Sequence, residues 1–316
     1  MERARASTTS ALVVAAVLAA SPLEAQTRRM ALTFDDLPAQ AARQETAVFD
    51  SITDGILAHL SARNAPAVGF VNEGKLDRNG GPDPARVAVL RRWLQAGHEL
   101  GNHTRTHPDL HTTPVDVWLA DLEAGEPVTR ALAAEAEMPF RYFRHPMLHT
   151  GRTPEIKARV AERLDALGYE VAPVTIDNQE WIFARAWDNA MEDREPALAG
   201  RIADAYVSYM DSIVGYYEQQ SRAIVGYELP QVLLLHANRL NAHALDRLLA
   251  ALVARGYTFV ELEEALADPA YARGDEYLGP AGITWLHRWA LADGQRGAFF
   301  AGEPEVPAFV QEAFER

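Results

Sequence analysis

The stretch MALTFDDLPAQ, residues 30–40, decides how the rest of the chain is read. Met30, Ala31, Leu32 and Phe34 make a short apolar run of the kind that forms a strand buried on both faces. The run ends in two adjacent carboxylates, Asp35 and Asp36, whose like charges oppose being brought together and desolvated. A turn or a helix cap accounts for one such residue. A pair at the end of a buried strand asks for a compensating charge.

Similar apolar runs recur at 67–71, 99–102, 141–144, 170–176, 232–236 and 258–260. Amphipathic stretches separate them, several opened by a capping residue followed by proline: Asp83-Pro84, Thr113-Pro114 and Thr153-Pro154. This alternation predicts an α/β fold with a parallel sheet, and its length favours a closed or nearly closed barrel over two domains. Two segments break the rhythm. A long crossover at 182–230 carries Ile202, Tyr206, Tyr209 and Ile213 on a helical stripe, which reads as core packing. A C-terminal extension after residue 267 reads as packing over one end of the barrel.

Composition narrows the function. With 316 residues, 48% of them hydrophobic, the chain can build a substantial core. Arg3 and Arg5, an apolar run at 11–20 and the small-residue pattern Leu23-Glu24-Ala25 predict a signal peptide over residues 1–25, leaving a catalytic domain over 26–316. Ten apolar residues are too few to cross a bilayer, which takes about 20. The expected location is therefore periplasmic or secreted, with no stable membrane insertion after signal removal. The chain has no cysteine, which excludes thiolate chemistry and disulfide staples. Its net charge of -14 argues against nucleic acid and against an anionic membrane surface as partners. Oligomeric state is not legible at this level.

In parallel barrels the chemistry sits at the carboxyl ends of the strands. Here those ends carry Asp35-Asp36, Asn72-Glu73, His103, Arg144-His145, Asp177 and His236-Ala237-Asn238. Ten histidines would form roughly 0.3 pairs spaced four apart by chance, and the chain has His103/His107, His107/His111 and His145/His149. His103 and His107 lie on one strand-end loop, whereas His111 lies nearer a helix start. His145 and His149 flank Pro146 on another loop and are expected to line the cleft. Two imidazoles and a carboxylate leave coordination positions open on a metal, the catalytic pattern. Asp35 and Asp36 then have separable roles, one as ligand and one as proton acceptor, with the ion offsetting their repulsion. His236 at the same rim suits a general acid, and Asp177 and Glu180 are placed to orient it.

These motifs together resemble the polysaccharide deacetylase, or NodB-homology, family of carbohydrate esterases. The resemblance runs through Thr33-Phe34-Asp35-Asp36, then 97–103 with His107-Pro108, Phe143-Arg144-His145-Pro146, 177–181 and Leu233-Leu234-Leu235-His236. It implies a distorted (β/α) barrel with about seven parallel strands and the removal of acetyl groups from an acetylated glycan. It also implies Asp35 as base, with Asp36, His103 and His107 holding a divalent ion, usually zinc, with cobalt as another candidate. Arg144 would position Asp35, His236 would be the acid and Glu180 its brace. Met147 would donate a backbone N–H to the oxyanion and Trp181 would wall the acetyl pocket. Three residues depart from the family pattern: Leu37 where glycine is common, His145 after the arginine, and Glu180 where aspartate is usual. They leave open a hydrolase of a non-sugar amide using the same centre, or a carbohydrate-binding protein without turnover.

Overall fold

The computed structural model describes residues 28–316, so the expected signal at 1–25 lies outside the described residues. Among the described residues, nine strands run in order: β1 (Arg28–Leu37), β2 (Ala67–Val71), β3 (Asp77–Arg78), β4 (Gly81–Pro82), β5 (Glu99–Asn102), β6 (Tyr142–Phe143), β7 (Glu170–Val171), β8 (Gln231–His236) and β9 (Tyr257–Phe259). Seven form one parallel sheet in the order β7-β6-β5-β2-β1-β8, with β9 on the first residues of β1. β3 and β4 form a separate antiparallel hairpin. The expected seven-stranded parallel barrel is the observed architecture.

β1 is central because its apolar residues find partners on both sides: Leu32 lies level with Ala67 of β2 and with Leu233 of β8. Met30, Leu32 and Phe34 are all buried, and Phe34 packs on Trp93 at 5.6 Å between ring centroids. Each such side chain contributes on the order of 1.5–3 kcal/mol by leaving water.

The strand expected at 170–176 ends early. Pro173 follows Ala172 and has no N–H for the ladder, so regular pairing stops at Val171. The chain then swings across to β8, where Ile176 pairs with Leu233, the Ile176 amide donating to the Val232 carbonyl at 3.1 Å. That bridge brings the two ends of the sheet together, and it delivers Asp177 to the rim.

The predicted helix starts hold at two places. Asp83 caps the helix Pro84–Gln95, its carboxylate accepting from the Ala85 amide, and Thr153 caps Pro154–Ala166 through the Ile156 amide. At the third, the helix begins one residue later, at Val115, with Pro114 in the capping position and no side-chain cap. The long crossover is two helices, Glu180–Glu192 and Pro196–Val225, and Ile202, Tyr206, Tyr209 and Ile213 are all buried in the core. The C-terminal extension contributes the helices Trp285–Ala292 and Ala308–Phe314, the latter packed against Glu180–Glu192. Among the described residues, no helix is long and apolar enough to cross a membrane.

Candidate active site

A bulge in β1 answers why two carboxylates stand side by side. Phe34 is level with Gly69 of β2, but the next matched pair is Leu37 with Val71, so Asp35 and Asp36 together face one β2 residue. Asp36 takes a left-handed backbone, with φ of 70°. Regular alternation would send the two side chains to opposite faces; the extra residue and the turned backbone let both line one pocket, together with His103, His107, Met147, Asp177, Trp181 and His236. Leu37, where glycine is common, does not enter this pocket. It is fully buried against Gly69, where an added Cβ would come within 2.5 Å of the leucine methyl.

The two carboxylates have different surroundings. Asp35 is buried and receives the Arg144 guanidinium on both oxygens, at 3.1 and 3.3 Å. Arg144 has no solvent exposure and is fixed by the Thr33 hydroxyl and the Ala172 carbonyl while lying over the Phe70 ring. Asp36 instead receives Lys75, whose ammonium donates to its carboxylate at 3.0 Å and to its carbonyl at 2.9 Å, and Gln40 at 3.3 Å. Burial alone would raise the Asp36 pKa, but Lys75 and the three neighbouring histidines hold the carboxyl far below the usual carboxylate range.

One oxygen of Asp36 and one ring nitrogen each of His103 and His107 lie within 4.8 Å of one another. The donor chemistry suits a divalent ion. His103 Nδ1 donates to the Arg144 carbonyl at 2.8 Å, which turns the Nε2 lone pair towards the pocket. Burial pushes the His103 pKa down to about 4 against the pull of Asp35, and burial lowers His107 as well, so both rings are neutral near pH 7 as ligation requires. The two rings meet at 69°, so their nitrogens can converge. Backbone bonds hold this loop: Asn72 donates to the His103 carbonyl at 2.7 Å, and the Arg105 and Thr106 amides both donate to Asp121 at 2.9 Å.

A second cluster, Asp109, His111 and His149, is equally close. Its histidine rings are stacked at 3.8 Å and only 7° from parallel, so their lone pairs run side by side and do not meet on one ion. His149 is also bonded to Asp109 at 2.6 Å. Nor does His145 line the cleft as expected. It is buried on the far side of its loop, stacked on Trp118 and edge-on to Phe143, and burial pushes its pKa down to about 3.

Across the pocket, His236 Nδ1 is bonded to Glu180 at 2.8 Å. The other Glu180 oxygen accepts from Asn238 and Asn241, both at 2.5 Å, and the carboxylate has no solvent exposure. Burial opposes a charge on His236, but Glu180 outweighs it, and the imidazole pKa is pushed up to about 9. Of the two carboxylates expected to orient His236, Glu180 does so; Asp177 lines the same pocket and accepts from the neighbouring Asn178 amide, and burial pushes its pKa up to about 6.

Met147 also faces the pocket, with φ of 55°, and Leu148 follows at 53°. With Asp36, Thr104 at 65° and His107 at 60°, five non-glycine residues at this rim adopt left-handed backbones, a strain on the order of 1–3 kcal/mol each that the surrounding contacts must offset. The Leu148 and His149 amides are bonded to His145 and Pro146, while no partner is found for the Met147 amide among the described residues. Trp181, 44% exposed, flanks the opening and is packed edge-on by Phe314. Sequence reasoning missed Lys75 and Gln40. Lys75 lies 39 positions from Asp36 and is brought to it by the turn Glu73–Leu76 after β2, which no spacing rule reveals. Glu73 proves structural, accepting from the Val128 and Thr129 amides at the start of the helix Pro127–Glu135.

The fold and site together are a parallel α/β barrel whose rim joins an Asp-His-His donor set to a carboxylate–arginine pair and a histidine–glutamate pair. The model of the family described as polysaccharide deacetylase matches residues 23–172. A chitin deacetylase of Colletotrichum lindemuthianum is 23% identical over 242 residues, 76% of this chain and 79% of that protein. The peptidoglycan-N-acetylglucosamine deacetylase PgdA of Listeria monocytogenes is 25% identical over 240 residues, 75% of this chain but 38% of the relative's length. Among solved structures, the peptidoglycan deacetylase PdaC of Bacillus subtilis aligns with a TM-score of 0.48 at 21% identity, covering 78% of this chain and 95% of that one. Over these spans the chain is similar to polysaccharide deacetylases of the NodB-homology type.

Proposed function

We propose that this protein is a divalent-metal-dependent hydrolase that removes acetyl groups from N-acetylated or O-acetylated poly- or oligosaccharides and releases acetate, after export through the segment 1–25. The observation that carries the proposal is the pairing of Asp35 with Arg144 and of His236 with Glu180 on opposite sides of one three-donor site. A binding protein without turnover has no need to keep one group as proton acceptor and the other as proton donor.

Asp36, His103 and His107 would hold the ion. Their nitrogen and oxygen donors suit zinc first and cobalt next. When bound, the ion supplies a Lewis acid that polarises the acetyl carbonyl and strengthens water as a nucleophile near neutral pH. The Asp35 carboxylate, held by Arg144, accepts the proton that the attacking water gives up as its oxygen bonds to the carbonyl carbon. The Met147 amide donates to the oxygen on which negative charge develops. His236, kept as imidazolium by Glu180, gives its proton to the sugar nitrogen or oxygen as the acetyl bond breaks. Acetate and the free amine or hydroxyl leave, and the proton on Asp35 returns to solvent or to His236. Trp181 walls the methyl side.

The test is acetate release from chitooligosaccharides, peptidoglycan fragments and acetylated xylan by protein stripped with chelator and reloaded with zinc or cobalt. Release that depends on the ion supports the reading. Release from acetylated non-sugar amides alone would move the substrate class and keep the chemistry.

A further inference from the structure

The loop that presents Met147 is gripped from behind by the C-terminal extension. Arg288, in the helix Trp285–Ala292, is 2% exposed and lies over the Trp285 ring. Its guanidinium donates to the Leu148 carbonyl at 2.5 Å, to the Thr150 hydroxyl at 2.9 Å and to Asp275 at 2.6 Å. Asp275 also accepts from Thr150 at 2.8 Å and pairs with Lys157 at 2.7 Å, tying the extension to the helix that follows the loop. Six residues before Arg288, Gly282 lies against the Met147 peptide, where an added Cβ would come within 1.9 Å of its carbonyl oxygen.

The segment 146–149 therefore has two sets of contacts: Met147 and Leu148 line the pocket with the Met147 amide unbonded, and the Met147 and Leu148 carbonyls touch the extension. Two consecutive left-handed non-glycine residues do not hold that conformation unaided. We infer that Arg288, with Gly282 against the adjoining Met147 carbonyl, is a positioning residue that aims the Met147 N–H at the developing oxyanion. The extension is then a working part of the active site. This inference rests on the proposed deacetylase reading, and its test has one readout independent of activity.

Arg288→Met and Gly282→Ala are compared with the metal-loaded full chain, with Arg288→Lys as the conservative variant. A donor that acts on developing charge changes kcat more than KM. Expected is a fall in kcat of about 10- to 100-fold with KM within about threefold, and partial recovery in Arg288→Lys. Bound metal should stay at wild-type stoichiometry. Independently, hydrogen exchange at the bonded Leu148 and His149 amides should quicken at least tenfold in Arg288→Met, while β1 stays protected. Wild-type kcat in both Gly282→Ala and Arg288→Met overturns the inference, as does unchanged exchange at the Leu148 and His149 amides. If Arg288→Met fails to fold, Gly282→Ala decides by the same two readouts. If the wild type releases no acetate, the functional proposal fails, and exchange alone then judges the clamp.

Discussion

Asp35 and Asp36 are chain neighbours with different partners, a guanidinium for one and an ammonium with two imidazoles for the other. Asp35→Asn keeps the shape and removes the proton acceptor. It should cut acetate release by about 10²- to 10⁴-fold while leaving bound metal, measured by elemental analysis, unchanged. In the proposed mechanism His236 acts only as its protonated form, so activity should fall as pH rises through the pKa that Glu180 lifts to about 9. Glu180→Gln removes the lifting charge, and the alkaline limb of the kcat profile should move to lower pH. A limb that stays in place would show that Glu180 does not set the acid. The TFDD pair, the spaced histidines, Arg144 and His236 were legible in the sequence because each ends a strand. Lys75 was not, because its contact with Asp36 depends on how the turn after β2 folds. His145 was misjudged because alternation around Pro146 does not tell which side of a loop faces the core.

At the scale of elements, the bulge in β1 places the chemistry and Leu37 locks the bulge to β2. Leu37→Ala leaves a cavity above Gly69 and should cost about 2–5 kcal/mol, read as a shift in the urea midpoint at constant slope. If Leu37 served the pocket and not the core, activity would change with stability intact. The strands with apolar runs, β1, β2 and β8, could be read directly from the chain. β7 could not be read to its true end, since the run from Glu170 to Ile176 looks continuous until Pro173 interrupts the ladder. The bulge itself leaves no compositional mark beyond the paired carboxylates it serves.

Across the whole molecule, the net charge of -14 sets which polymers approach easily. On an anionic acetylated polymer KM should fall as salt rises from about 0.01 to 0.15 M, because screening shortens from about 30 to 8 Å, while KM for neutral chitooligosaccharides should hardly move. Equal salt dependence for both would mean that the net field plays no part. The barrel was legible from the alternation of runs. The extension after residue 267 was legible only as packing, because its contacts with Leu148, Met147 and Trp181 join positions more than 100 residues apart. The most direct test of the central claim is acetate release from a panel of acetylated glycans by zinc- or cobalt-loaded protein, with metal-loaded Asp35→Asn as the blank. The account predicts release by the wild type and release at least about 100-fold slower by the variant at equal bound metal; a wild type that binds the ion and releases acetate from none of the panel would contradict it.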